Sequence, residues 1–394
     1  MYLTREQEKM LRGDYGWSTA KAMEILVKVG EAMGASELIE IKHAHISGVS
    51  YVNIGKYGVL LIYELLRGNA KAKVFTTINP GCVDYSSLSS IIDNSLEKEQ
   101  SVIDQLFMEM GFKPIFTCIP YHYRPPLPFE HLAWGESSAV IFSNTVFGGF
   151  TNREGGPIAI ASALTGYVYK AGLHILENRI AKVNVELGVL TSRTPVGAIG
   201  LWIGENVRDI PLLTQRGGGL DIYRLKVLLA AMAASGSHAM AVIPGVTPKG
   251  TYMVEIEDKV VIEPQYVEKY IGEIPDSSNK ILGYIGCPHL HPVELYRIYS
   301  LLKKYGPPRS GNKLMITIPP EYVDKHRNII YALKALGTDI ATGTCPVVAK
   351  IRREFDIVVT NSGKAAFYLS KIHGLRTSIM ELEEVVKTVG GKNV

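Results

Sequence analysis

Cysteine is scarce: there are four in 394 residues. They stand far apart and form neither a CxxC pair nor a zinc-finger pattern. A disulfide framework is excluded as well. The opening Met1-Tyr2-Leu3-Thr4-Arg5-Glu6 has no basic n-region and no apolar h-region, so no secretory signal is expected, and cytoplasmic thiols stay reduced. Long hydrophobic runs are also missing. The longest, 227–234, is far shorter than a membrane span. Nor is there an excess of one charge. A formal net charge of +4 makes no case for nucleic acid or an anionic membrane, though it leaves room for a local anion site. Glutamine is rare and tyrosine abundant, at 21 residues, which points to a thermophilic source.

What is present is a globular composition, 46% apolar and 20% charged. The length exceeds one simple core and predicts two or three subdomains; composition and turn signals place them at 1–135, 136–275 and 276–394. Helical spacing predicts helices over 18–33, with Ser18 as N-cap, and over 55–67, 95–110, 157–172 and 221–234, the last after Gly217-Gly218-Gly219. Strands are predicted over 38–46, 73–78, 114–117, 139–142, 181–185, 198–203 and 238–243. Residues 244–275 read as less regular. The last third repeats strand and helix: 280–285 then 291–303, 314–318 then 321–336, and 356–359 then 364–373. Such alternation implies an α/β fold with mainly parallel sheets covered by helices. In these folds working residues gather at the carboxyl ends of strands. Ser47-Gly48-Val49-Ser50, Asn79-Pro80, Cys118, Ser143-Asn144-Thr145, Cys287, Cys345 and Thr360 to Lys364 all fall there on this reading.

Three cysteines share one setting. Each follows an apolar run and comes just before a proline: Thr117-Cys118-Ile119-Pro120, Gly286-Cys287-Pro288 and Thr344-Cys345-Pro346. They read as soft thiolate ligands offered from strand ends. Three is one ligand short of a closed site, so a four-iron cube held this way keeps one iron open to a substrate. That is the arrangement of a dehydratase rather than of an electron carrier. Cys82, in Asn79-Pro80-Gly81-Cys82-Val83-Asp84, reads as a near-site or structural thiol rather than a fourth ligand. A zinc site using His289 and His291 beside Cys287 is the plainer metal alternative. Two turns suit anions: Ser47-Gly48-Val49-Ser50, and Asn361-Ser362-Gly363-Lys364 at a helix start. Arg153, in Thr151-Asn152-Arg153-Glu154-Gly155-Gly156, can supply a guanidinium to a carboxylate.

Taken with Ala133-Trp134-Gly135-Glu136-Ser137, Pro244-Gly245-Val246-Thr247-Pro248, Gly286-Cys287-Pro288-His289 and Ser362-Gly363-Lys364, these motifs resemble aconitase X over essentially the whole chain. That family is a distant branch of the aconitase superfamily. The resemblance implies an aconitase-like α/β fold of several subdomains around a central cluster site, with Cys118, Cys287 and Cys345 holding a 4Fe-4S cluster. It implies substrate contacts from Gly48, Val49, Ser50, Asn79, Pro80, Ser137, Ser138 and Lys364. It also implies a cytoplasmic, iron-dependent hydro-lyase of archaeal type. The expected reaction dehydrates (R)-5-phosphomevalonate to trans-anhydromevalonate 5-phosphate, with cis-3-hydroxyproline as the alternative substrate. No residue stands out as the base, and the chain ends at Val394 without the small swivelling domain that carries a serine base in aconitase-like enzymes. A small second subunit is therefore expected. The competing reading of another class is a redox-sensing or nucleotide-binding α/β module with incidental cysteines.

Overall fold

The computed structural model describes residues 1–218, 220–275, 280–352 and 354–391. Gly219 of the triple glycine, residue 276 at the expected start of the third subdomain, and Val394 lie outside them. The chain divides into two compact units. One takes Met1–Gly81, Ser95–Lys182 and Ala239–Glu255; the other takes Cys82–Asn94, Val183–His238 and the chain from Ile256 on.

The first unit is built on three parallel strands in the order Phe75–Ile78, His43–Ile46, Leu132–Trp134. Every residue of the middle strand is buried, as a parallel strand covered on both faces requires. Helix Gly156–Thr165 packs on that strand and on helix Trp17–Ala32. Strands Leu38–Glu40 and Tyr167–Tyr169 pair antiparallel beside them.

The second unit carries five parallel strands in the order Thr338–Thr342, Lys313–Ile318, Ile281–Ile285, Ile357–Thr360, Thr377–Ile379. Their aliphatic side chains form one core with Leu295, Ile298, Leu302, Ile330, Leu333, Val385 and Val389 of the flanking helices. Each such side chain, fully buried, contributes about 1.5–3 kcal/mol. The chain steps outward from Ile281–Ile285 through two neighbours, then returns to lay Ile357–Thr360 on the other side of it. The sheet therefore has its topological switch between Ile281–Ile285 and Ile357–Thr360, where open parallel sheets bind ligands. Helices Val196–Asn206 and Ile222–Gly236 approach so closely that a Cβ on Gly200 would stand 2.3 Å from the Leu228 carbonyl oxygen. Among the described residues, no helix is long and apolar enough to cross a membrane.

The α/β expectation holds, but four predicted strands do not. Residues 139–142 belong to helix Ser137–Phe142, which runs into a π-helical turn, Ser143–Phe147. Residues 198–203 belong to helix Val196–Asn206. Both runs are buried nearly all round, which erases the periodicity that separates helix from strand. Residues 238–243 join no ladder beyond a single bridge at Val242. The 114–117 segment bonds Phe75–Ile78 only at its ends, Lys113 N–H to Thr76 O at 2.8 Å and Thr117 N–H to Ile78 O at 3.0 Å. Phe116, at φ +46°, turns the peptide groups between out of register. The irregular stretch 244–275 instead holds strand Met253–Ile262 and helix Pro264–Ile271. Ser18 is not an N-cap: Gly16 takes that place, and the Ser18 hydroxyl donates to the Leu65 carbonyl at 2.6 Å.

Candidate active site

In the first unit, the carboxyl ends of all three parallel strands carry predicted site residues. Strand His43–Ile46 opens into Ser47-Gly48-Val49-Ser50, and helix Tyr51–Arg67 follows with Ser50 at its N-cap. Val49 and Ser50 are buried and Gly48 is exposed. A buried amide holds this turn. Gln100 donates to the Val49 carbonyl at 3.2 Å and to Asp104 at 2.8 Å, and its own carbonyl accepts from the Tyr51 N–H at 3.0 Å. Strand Phe75–Ile78 opens into Asn79-Pro80, both buried, with Asn79 N–H on the Ile46 carbonyl at 2.9 Å. Cys118, also buried, comes one residue after the Thr117 bond to Ile78. It lies beside a strand end without following a strand of its own.

Strand Leu132–Trp134 opens into Gly135-Glu136, and Glu136 organises this edge. It is the N-cap of helix Ser137–Phe142. One carboxylate oxygen accepts from the Ser138 N–H at 3.2 Å, the Ser138 hydroxyl at 3.0 Å and the Ser137 hydroxyl at 3.4 Å. The other accepts from Asn79 Nδ2 at 2.9 Å. Behind Asn79 the bonds continue through His45 Nε2 (3.3 Å), then His45 Nδ1 to Thr77 Oγ1 (2.7 Å), then Thr77 Oγ1 to His43 Nε2 (3.0 Å). The run has one consistent direction if both rings are neutral and carry the proton on Nε2. Burial favours this: it pushes His45 down to about 4, against the pull of Glu136 and Asn79, and holds His43 well below the ordinary imidazole range.

Asn144 and Thr145, also predicted here, make structural bonds. Asn144 donates to the carbonyls of Thr151 and Ala239, both at 2.8 Å, and Thr145 accepts from the Ala241 N–H at 3.0 Å. Ser143, Asn144 and Thr145 therefore lie in a π-helical turn rather than at a strand end. Arg153 bridges Trp134 through its backbone, and its side chain is exposed.

In the second unit, Cys287 and Lys364 flank the switch point. Gly286 closes strand Ile281–Ile285 at φ +126°, and a Cβ there would stand 2.4 Å from Thr317 Oγ1, so only glycine fits. Cys287 follows, and its peptide bond to Pro288 is cis. Across the switch, Ser362 caps helix Gly363–His373 by accepting from the Ala365 N–H at 3.0 Å, while its hydroxyl donates to the Cys287 carbonyl. Lys364, buried in the first turn of that helix, puts a cation at the helix N-terminus. Cys345 follows strand Thr338–Thr342 by three residues. Asp84 fixes this approach: its carboxylate accepts from the Thr342 N–H at 2.8 Å and the Thr342 hydroxyl at 3.0 Å.

Burial, then the neighbouring Cys287 thiol, pushes the Cys345 thiol up to about 12, while the Val347 and Val348 amides and Lys364 pull the other way. Two adjacent buried thiols, with amides aimed at one sulfur and a cation nearby, suit a soft metal group that binds thiolate and draws off the proton. The two histidines of the zinc alternative hold backbone groups: His289 Nε2 donates to the Thr344 carbonyl at 3.0 Å, and His291 Nδ1 caps helix Pro292–Tyr305 by accepting from the Val293 N–H at 3.2 Å. Within either unit, the described residues gather no set of three or more His, Cys, Asp or Glu side chains as metal ligands. Cys82 is buried in the same unit as Cys287 and Cys345.

Glu136, Asp84 and Gln100 were not singled out from sequence. Glu136-Ser137-Ser138 ahead of an apolar run is a helix-start signal, and Asp84-Tyr85-Ser86 has the Asp-to-Ser spacing of a side-chain turn. Nothing local marks Gln100.

Parallel strand ends bearing polar turns and paired thiols define a ligand-binding α/β protein, and comparison with known proteins narrows the class. Family models described as the aconitase X first, second and third domains match residues 1–177, 179–272 and 281–391. The chain belongs to the aconitase X family. It is 37% identical to the phosphomevalonate dehydratase large subunit of Aeropyrum pernix, over 99% of this chain and 100% of that protein. The crystal structure of Thermococcus kodakaraensis aconitase X in its holo form superposes with a TM-score of 0.89 at 32% identity, covering 99% of this chain and 100% of that one. The cis-3-hydroxy-L-proline dehydratase of Hypocrea jecorina is 29% identical over 95% of this chain, which spans 66% of that protein.

Proposed function

We propose that the chain is the cluster-bearing large subunit of a cytoplasmic hydro-lyase that dehydrates (R)-5-phosphomevalonate to trans-anhydromevalonate 5-phosphate, a step toward isoprenoids. One observation carries this reading. The match to a phosphomevalonate dehydratase large subunit runs end to end, whereas the hydroxyproline dehydratase extends well beyond the region it shares with this chain.

Cys118, Cys287 and Cys345 would be the residues that hold a 4Fe-4S cluster. When bound, such a cluster supplies an open iron that acts as a Lewis acid on the substrate carboxylate and the leaving hydroxyl. The chain's own residues bind and orient. Lys364 and the amides opening helix Gly363–His373 suit one anionic group of the substrate. Gly48, Val49, Ser50, Asn79, Pro80, Ser137 and Ser138 form the polar edge for the rest, with Arg153 as a further cation. Glu136 spends both carboxylate oxygens on Ser137, Ser138 and Asn79, which leaves it poorly placed to take the substrate proton. That supports a base brought by a small partner subunit.

The test is anaerobic co-expression with the small partner, then assay of 5-phosphomevalonate against cis-3-hydroxyproline. The pair should turn over the phosphorylated acid and the large chain alone should not. Full activity of the large chain alone would refute the two-subunit reading. Preference for hydroxyproline would overturn the substrate. Absence of iron and acid-labile sulfide would favour a non-catalytic module. Serine replacement of Cys118, Cys287 or Cys345 should each cost iron, whereas Cys82→Ser should keep it.

A further inference from the structure

We infer that His289 is a positioning residue that locks the Cys287 turn to the Cys345 turn, so that the spacing of the two thiols is set before any metal group arrives. The inference deepens the cluster reading and rests on it for the purpose of that spacing. Its geometry and its test stand apart from catalysis.

The Cys287 turn is pinned at nearly every carbonyl. Gly286 O accepts from the Thr317 hydroxyl at 2.7 Å, Cys287 O from the Ser362 hydroxyl, and His289 O from Lys226 Nζ at 3.0 Å. Lys226 is buried and pairs with buried Glu294 at 2.5 Å, whose carboxylate also accepts from the His291 N–H at 2.8 Å. Removing one member of such a pair strands the other without solvent, so the carbonyl of His289 has little freedom to drift. The His289 ring is wholly buried, and its Nε2 donates to Thr344 O at 3.0 Å. Thr344 is the residue immediately before Cys345.

One imidazole thus joins the peptide ahead of one thiol to the turn that carries the other. Asp84 holds strand Thr338–Thr342 on the far side of the same segment, so the Cys345 turn is fixed from two directions. Partners outside the ligand set are what orient metal-binding side chains, and their loss commonly costs tenfold or more in metal affinity. A histidine serving only as core packing would be replaceable by an apolar residue of similar volume. A histidine serving as a strut would be replaceable only by a donor of similar reach.

The probe is cadmium alone, titrated anaerobically into the reduced, metal-free full-length chain and followed by thiolate-to-cadmium absorption. Cys345→Ser identifies the signal from this pair. His289→Leu should weaken cadmium binding about tenfold with little change in melting temperature, and His289→Gln, which keeps an N–H donor, should bind within about threefold of the unaltered chain. Unchanged affinity in His289→Leu, or equal weakening in both variants, would overturn the inference. If His289→Leu does not fold, amide exchange across 343–349 in His289→Gln decides. Protection equal to that of the unaltered chain supports the strut, and faster exchange there refutes it.

Discussion

His45 gives the polar edge of the first unit a built-in sensitivity to acid. Its ring is wholly buried, and burial holds its proton affinity down to about 4 despite the nearby Glu136 carboxylate. In the unfolded chain the same ring takes a proton near its ordinary value of 6.5. Its contribution to stability is therefore complete above pH 6.5 and is lost as the pH falls toward 4, by about 3 kcal/mol for a shift of this size. His43 adds in the same direction, and so does His131, pushed down to about 4 chiefly by burial. The urea midpoint should drop through this window, and His45→Gln should flatten part of the slope. An equally steep decline in that variant would place the effect elsewhere. At Lys364, replacement by alanine should lower kcat/KM for the phosphorylated substrate by about 10- to 100-fold, the range of a buried charge-assisted contact of about 1.5–3 kcal/mol. Unchanged kinetics would show that the ammonium does not touch substrate. The sequence exposes residues of this kind when turn punctuation flags them, as glycine and proline do around Gly48, Asn79-Pro80 and Cys287. It hides Gln100, Asp84 and the strut role of His289, because their partners lie tens to hundreds of positions away.

At the scale of elements, the placement of Lys364 depends on close helix contact. Gly363 opens helix Gly363–His373 against Gly197 of helix Val196–Asn206, and a Cβ on Gly363 would stand 2.2 Å from the Gly197 carbonyl oxygen. That atom is backbone and cannot swing aside. Gly363→Ala should cost about 1–3 kcal/mol through overpacking, read as a lower denaturant midpoint. Gly155→Ala, where a Cβ would meet nothing within 4 Å, should stay within about 0.5 kcal/mol. Equal midpoints for the two variants would contradict the close-contact account. Sequence patterning anticipated the strand and helix pairs of the last third because each strand there is a short apolar run closed by a turn and followed by an amphipathic helix. It mistook helix Ser137–Phe142 and helix Val196–Asn206 for strands because small and apolar residues surround both on every side. It also missed that Cys118 follows no strand, since the left-handed Phe116 leaves no mark in hydrophobic pattern.

At the scale of the whole molecule, the family models divide the chain into three consecutive stretches, whereas its compact units each draw on three separated stretches. The five-stranded sheet of residues 281–391 relies on Asp84 for the end of strand Thr338–Thr342 and on Lys226 for the His289 carbonyl. A fragment of residues 281–391 should therefore lack a cooperative thermal transition. A sharp melt matching that of the full chain would show that these long-range ties are dispensable.

The interleaving also bears on how the protein is made. Residues Cys82–Asn94 leave the ribosome early, yet their strand partner, Thr338–Thr342, emerges about 250 residues later, which at roughly 5–20 residues per second is a wait of some tens of seconds. Ala239–Glu255 must likewise appear before the opening unit is whole. Through that interval the nascent chain carries the unpaired Asp84 and an open parallel sheet, the slow-closing kind of structure most exposed to aggregation. Chaperone cover should therefore raise the yield of this chain more than that of a protein whose units are continuous in sequence, and slower elongation, which lengthens the wait, should lower it.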